Sequence, residues 1–205
     1  MPHAKIDSEI KEHHYNELKE TQTQLQKKGP TYVGGDFNAR VQVKQSTSEK
    51  CIGNHTFNAA DITLRRQEED VVENRNLFIA HCLETDCIAA NTFFQKAEHK
   101  KPTYRHCETE HGEPWTRENG YEVLDYILAQ HRWKNSILDA ETDTDFLDSD
   151  HYPVIAKIRI KLKTKPYTVC EGRRKYTTPT PEQIYWFNDQ LDGIHETSEN
   201  YIWID

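Results

Sequence analysis

Long apolar runs are missing from this chain. No stretch approaches the ~20 consecutive apolar residues a helix needs to cross a bilayer. The opening residues, MPHAKIDSEIKEHH, are too polar for the apolar segment of a signal peptide. Paired cysteine spacing is missing as well. The five cysteines (51, 82, 87, 107 and 170) are odd in number and follow no pattern, which argues against a disulfide-stapled domain. Reduced thiols in an intracellular protein are expected, nuclear if it acts on DNA. An excess of positive charge is the third absence. A net charge of −8 excludes a generic nucleic-acid coat protein, whose affinity would rest on overall positive charge.

What remains suits a single lean domain with an appended segment: 205 residues, 35% hydrophobic and 29% charged. Residues 5–28 read as a helix with Ile6, Ile10, Tyr15, Leu18 and Leu25 near one face, Asp7 or Ser8 as cap, and KKGP as stop. TYVGG (31–35) is a short strand running into a glycine turn where backbone approaches something closely, and 41–62 reads as loop. A second helix spans about 70–84, with Val71, Leu77, Phe78 and Cys82 as its apolar stripe. Strands are expected at 87–94, 102–107, 122–129, 136–142 and 152–162. Helices mixed with strands make the class α/β or α+β. Past Lys165 the period is lost and the chain reads as a linker, so the domain expectation is 1–165 followed by a connector over 166–205.

Three stretches carry candidate chemistry. In DSDHYPVIAKIRIKLK (148–163), Asp148 to His151 are polar and lead directly into a run with Val154, Ile155, Ala156, Ile158, Ile160 and Leu162 as its apolar residues. The polar start is either an ordinary turn or a set of acid and imidazole groups held at the end of a rigid strand. GGDFNAR (34–40) places Asp36 and Asn38 two apart, on one side of an extended segment: a carboxylate that can move a proton and an amide that can hold a water or a phosphate oxygen. An Asx-type turn after a strand is the plain alternative. In LDYIL, Asp125 interrupts an apolar strand, which is costly unless the carboxylate is paired. A histidine is the natural partner, and His151 is the one already placed at a strand mouth. On period alone, Asp125 could also face solvent from an edge strand.

Taken together and in this order, Gly-Asp-Phe-Asn, Asp-Tyr-Ile and Ser-Asp-His resemble the endonuclease/exonuclease/phosphatase family of metal-dependent phosphodiesterases. The likeness is closer to the apurinic-endonuclease-like endonuclease domain of non-LTR retrotransposons. It is carried by ENRNLFIAHCLETDCIAANTFFQKAEHKKPTYRH (73–106), by VLDYILAQHRWKNSILDAETDTDFLDSDHYPVIAKIRIKLK (123–163), and by the connector-like RRKYTTPTPEQIYWFNDQL (173–191). The resemblance implies part of a two-sheet, four-layer α/β/β/α sandwich and nicking of double-stranded DNA. It implies that His151 stabilises charge on the phosphate, that Asp125 orients it, and that Asp150 helps hold a divalent metal. Asp36 would exchange a proton with the attacking water or leaving oxygen, and Asn38 would hold that nucleophile or a phosphate oxygen. Magnesium fits hard oxygen ligands, and manganese remains open. Thr103, Tyr104, Trp115, Arg117 and Tyr121 would line the DNA face, the last three on a hairpin over 108–122.

The family's domain also carries an upstream asparagine and a metal-binding glutamate that have no counterpart before GGDFNAR. The resemblance therefore implies the C-terminal portion of such a domain, with impaired activity and an exposed sheet face prone to self-association. A reverse transcriptase is the implied partner beyond the connector. Other readings are a small-phosphoester phosphatase of the same family, an inactive retroelement fragment, and a zinc module built on His99, His106, Cys107 and His111. The basic run over 157–175 is either a phosphate-facing stripe or a solvated strand face with a basic tail.

Overall fold

The computed structural model describes residues 1–59, 69–110, 113–145, 149–161 and 179–197. The chain divides into two units, Met1–Lys161 and Leu162–Asp205. The first combines helices with antiparallel sheets, an α/β arrangement in line with the expected class.

Helix α1 (Ser8–Gln26) starts where the Asp7 side chain accepts the Glu9 N–H at 2.9 Å, satisfying one of the orphan donors of a first turn. Its buried face differs from the apolar one expected. Tyr15 and Leu18 do pack on the core, but Ile6, Ile10 and Leu25 are exposed, while Lys11 and Gln22 are buried. The reason lies in the partner helix, α2 (Glu69–Glu84), which offers polar groups to this face. Lys11 Nζ binds Glu73, and Gln22 donates to Cys87 Sγ at 2.8 Å and meets His81 Nε2 at 3.0 Å. A polar face buried against complementary polar groups loses little by leaving water.

The central sheet has the order β1–β5–β2, with β1 at Tyr32–Asp36, β2 at Cys87–Ala89 and β5 at Asp125–Gln130, all antiparallel. On its helix side, Tyr126 and Leu128 pack with Phe37, Phe78, Cys82, Cys87 and Ala89. On the other side, Ala129 and Ile127 meet Ile88, Ala90, Tyr32 and Ile137. The expected strand over 87–94 is cut short because Ala90–Thr92 turns into a 3-10 helix, its Thr92 hydroxyl folded back on the Ala89 carbonyl at 2.6 Å. Nothing among the described residues crowds the glycines of β1, contrary to expectation: a Cβ at Gly35 would meet nothing within 4 Å.

The expected strand over 122–129 is two strands. Tyr121–Glu122 (β4) pairs with Tyr104–Arg105 (β3) in a second sheet, and the chain then steps through residues 123 and 124 into β5. Beyond β3, a bridge joins Tyr104 to His151, supported by Arg105 N–H to Asp150 O at 2.8 Å and Tyr152 N–H to Thr103 O at 2.8 Å. Ile137–Thr142 (β6) and Val154–Ile158 (β7) form a third sheet. Strand β7 ends four residues short of the expected 162 and is only half covered. Val154, Ala156 and Ile158 are half-buried, while Ile155 shares the exposed side with Lys157.

In the second unit, α3 (Pro181–Thr197) falls within the span expected as a connector. Thr180 and Gln183 cap its start reciprocally, Gln183 N–H to Thr180 Oγ1 at 3.3 Å and Thr180 N–H to Gln183 Oε1 at 3.0 Å, with Pro181 in the first turn. Ile184, Tyr185, Trp186 and Phe187 are exposed. The rest of the connector, together with Asp148, His111, Cys170 and the basic residues 163, 165 and 173–175, lies outside the described residues.

One buried ion pair fastens the loop that follows β1. Arg75 reaches from α2 to both Glu49 oxygens at 2.9 and 2.8 Å and to the carbonyls of Val41 and Val43. Burial pushes the Glu49 carboxyl up, but the Arg75 hydrogen bonds, the Gln45 N–H and the charges of Arg75 and Lys44 together outweigh it and leave the carboxyl below the ordinary range. A depressed carboxylate stabilises the fold fully above its unfolded pKa, and that contribution disappears as pH falls through the folded value. Arg75→Met is expected to cost ~3–5 kcal/mol at pH 7, the scale for removing one partner of a buried pair. Urea unfolding at pH 7 and again at pH 3 checks this: the difference between variant and wild type should shrink at the lower pH.

Candidate active site

Three chain segments converge at one end of the central sheet. The β1–β5 register sets Asp36 directly opposite Asp125. The β3 edge carries His151, whose Nδ1 lies 2.9 Å from Asp125 Oδ2. Asp125 and His151, widely separated in sequence, therefore form the pair expected from the cost of an isolated carboxylate in an apolar strand. The acid side chain is 19% exposed and the imidazole 35%, so the pair is sheltered yet open to a ligand. With Nδ1–H donating to Asp125, Nε2 is the ring nitrogen left for a substrate.

Burial raises the Asp125 carboxyl above the ordinary carboxylate range. Hydrogen bonds from Thr103 and His151 pull it down, and the like charge of Asp36 adds to the rise. Two acids opposite each other across a strand pair are destabilising, so this end of the sheet holds an arrangement that folding alone would not favour.

Thr103 has a role different from the one expected. It is fully buried, and so has no surface to offer DNA. Its hydroxyl accepts the N–H groups of Leu124 and Asp125 at 2.9 and 3.0 Å, at the step where the chain passes from β4 to β5, and bonds to the Asp125 side chain. Tyr104 does border the site. Its ring meets the His151 ring edge-on at 5.1 Å, and it is half-buried.

Asn38 is placed by a turn rather than by strand alternation. Its φ of 49° lies in the left-handed region that asparagine tolerates. Its N–H bonds to Asp36 Oδ1 at 2.7 Å, an Asx-type turn, and its side-chain nitrogen donates to the Met1 carbonyl at 2.8 Å. Asp150 is exposed, with Ser149 Oγ 3.4 Å from its Oδ1. Asn91 was not singled out in the sequence, yet its side chain spans β5 at the site, donating to the Asp125 carbonyl at 3.1 Å and accepting the Ile127 N–H at 3.4 Å. A lone amide after the apolar CIAA was the available signal.

The hairpin residues are packed inward instead of reaching for a groove. Tyr121 is buried with Phe57 and Tyr152, and Trp115 lies on Tyr121 at 4.4 Å between ring centroids. Arg117 is 9% exposed, sits 5.3 Å above the Phe57 ring and bonds to Glu122. The side chains turned outward are acids: Glu108, Glu110, Glu113 and Glu118 are all exposed. Among the described residues, Trp115, Arg117 and Tyr121, expected to line a DNA face, are thus turned toward the hairpin's own packing.

Asp150 was the expected metal ligand, with Asp36 and Asn38 as the other oxygen-bearing residues of the motifs. Asp36 has one oxygen engaged in the turn, and the Asn38 amide nitrogen is spent on Met1. Among the described residues no group of three or more histidine, cysteine or acidic side chains is arranged to hold a metal. The donors described here do not by themselves make a magnesium site. Of the residues read as a zinc module, His106 accepts the Glu108 N–H, His99 lies beside Trp115, and His111 is outside the described residues.

No family model matches the chain. Craniofacial development protein 2 from Tragulus javanicus is 33% identical over 93 residues, and the Bos taurus protein is 32% identical over the same length. Each match covers 44% of this chain and spans 14% of the relative's length. Among solved structures, a 3′ phosphatase from Neisseria, bound to a product DNA hairpin, aligns at a TM-score of 0.47 with 18% identity over 74% of this chain and 54% of its own. An AP endonuclease from Leishmania major aligns at 0.41 with 15% identity over 63% and 35%.

The Thr103 hydroxyl gives a direct prediction. Thr103→Val leaves two buried N–H groups without their acceptor, at ~1–3 kcal/mol each, and removes a bond that lowers the Asp125 carboxyl. The variant should be less stable, and its Asp125 carboxyl should titrate still higher. Thr103→Ser should restore both. Thermal unfolding and carbon-13 titration of the carboxyl measure the two effects separately; an unmoved Asp125 titration in Thr103→Val would show that the hydroxyl serves the backbone alone.

Proposed function

We propose that this chain hydrolyses phosphodiesters at the Asp125–His151 pair, with DNA as the substrate class and nicking of the retroelement type as the specific activity. The observation that carries the reading is the 2.9 Å contact between His151 Nδ1 and Asp125 Oδ2, with Asp36 opposite in the register. The resemblance of the three motif-bearing stretches to the endonuclease/exonuclease/phosphatase family supports it.

In this reading Asp125 orients the imidazole and balances its charge when protonated, so that His151 offers Nε2 to a phosphate oxygen as negative charge builds there. Asp36 takes the proton of the attacking water as its oxygen bonds to phosphorus, and the Asn38 segment holds the nucleophile beside it. The bond from phosphorus to the leaving oxygen breaks, and that oxygen takes a proton from solvent. Magnesium or manganese would supply Lewis acidity, held by Asp150 together with oxygen donors beyond those described. Turnover is accordingly expected to be low. The connector over 166–205 would lead toward a reverse transcriptase.

The acidic outer side of the hairpin favours a second reading, a small phosphodiester in place of a polyanion. Bis(p-nitrophenyl) phosphate distinguishes the two when compared with supercoiled plasmid.

Nicking of supercoiled plasmid, with magnesium, manganese or EDTA, tests the proposal. Wild type should produce nicked circles slowly, and His151→Ala should lower the rate at least ~10²-fold, the scale for one acid–base or charge-stabilising group. Wild-type nicking no faster than that of His151→Ala would sink the reading. Asp125→Asn should also lose activity, since an amide can present its donor to the wrong ring nitrogen. Its stability should hold. A carboxyl raised by burial contributes stability only below its unfolded pKa and loses it as pH rises through the folded value, so removing its charge at neutral pH costs the fold nothing. Thermal midpoints at pH 7 check this second half.

A further inference from the structure

Three carboxylates, Asp36, Asp125 and Asp150, stand around the place where a phosphate would bind, so a phosphate needs cationic help to approach. The segment after β1 supplies a candidate that the motifs did not single out. In residues 36–41, Phe37, Ala39 and Val41 are buried in the helix-side core, while Asp36, Asn38 and Arg40 are half-buried. Arg40 is thus half-buried two residues past the Asx-type turn that ends at Asn38.

The backbone that carries it is fastened on both sides. The Asn38 carbonyl accepts from Asn74 at 3.1 Å, the Ala39 carbonyl from the Tyr126 hydroxyl at 3.0 Å, and the Val41 carbonyl from Arg75 Nε at 3.2 Å. A side chain on so constrained a segment is well placed to act as a fixed anchor. Its charge reaches Tyr104, the residue whose ring rests on His151: the Arg40 guanidinium opposes the rise that burial and Asp150 impose on the Tyr104 hydroxyl. Among the described residues no carboxylate forms an ion pair with Arg40 and no hydrogen bond occupies its guanidinium, unlike Arg75 and Arg117, which are both engaged. A half-buried guanidinium with no ion-pair partner among the described residues has its planar donor fork available for an oxyanion.

We propose that Arg40 is the phosphate-anchoring residue of this site, binding a non-bridging oxygen of the phosphodiester whose phosphorus faces His151. This deepens the function proposed above and rests on it for the identity of the ligand. The shared chemistry is a phosphodiester monoanion, from a DNA backbone or from a small ester.

Two probes test it: a fluorescein-labelled duplex followed by anisotropy at several salt concentrations, and bis(p-nitrophenyl) phosphate followed by its hydrolysis. Arg40→Ala should weaken duplex binding and lower the salt slope by about one, the signature of one lost phosphate contact. It should raise KM for the small ester more than it lowers kcat. Arg40→Lys should restore the slope, because it keeps the charge, while recovering only part of the affinity. Lys28→Ala, which removes an exposed charge ahead of β1, should leave both readouts unchanged and so controls for net charge. An effect on the small ester alone would assign Arg40 to a small substrate; effects on both would assign it to the DNA backbone. If Arg40→Ala matches wild type with both probes, the anchor role is wrong while the hydrolytic reading stands. If the duplex binds through Arg40 but no ester is ever cleaved, the anchor stands and the hydrolytic reading falls. A wild type that neither binds nor cleaves either probe overturns both.

Discussion

The antiparallel register between β1 and β5 is the constraint on which the candidate site depends. It places Asp36 against Asp125, and it is held by the apolar side chains that alternate along both strands. A slip of one residue would turn Tyr126 and Leu128 out of the helix-side core and carry Asp125 into it. The same packing that stabilises the sheet thus keeps two like-charged acids facing each other, a pairing with no stabilising value of its own. The core fixes the geometry, and the strain collects at the site.

The junction between β4 and β5 does the remaining positioning. Here the chain leaves one sheet for another, and two backbone N–H groups lose their ladder partners. The buried Thr103 hydroxyl takes both, while the Phe37 N–H takes the Leu124 carbonyl at 2.9 Å. Those bonds tie together the end of β1, the start of β5 and the approach to β3, whose far edge holds His151. A buried backbone that must satisfy its donors has few ways to do so. That is why a residue expected at the ligand face is found beneath it.

Charge is distributed unevenly around this centre. The hairpin turns its aromatics and its arginine inward and Glu108, Glu110, Glu113 and Glu118 outward, while Arg40 lies on the segment after β1 without an ion-pair partner among the described residues. An anionic ligand would be repelled from one side and drawn from the other. Electrostatics of this kind restrict the direction of approach and the class of ligand more than they add affinity.

Much of this was legible in the residues. Helix periodicity located α1 and α2 to within a few residues, because caps and stops act locally. The cost of burying Asp125 called for a partner, and His151 is that partner. The TPEQ capping box that begins α3 was equally readable, although the period-poor stretch before it led to a linker assignment. Other features were decided only by packing between distant segments. Which face of α1 is buried depended on the polar groups α2 presents, and not on the helix's own apolar count. The inward turn of Trp115, Arg117 and Tyr121 depended on Phe57 and Tyr152, which come from other parts of the chain. The sequence by itself determined which side chains needed partners, since burial costs and capping are properties of residues and their near neighbours. Which partners they found, and which charge was left over for a ligand, was decided by tertiary structure, because pairing across a register is a property of segments far apart in the chain.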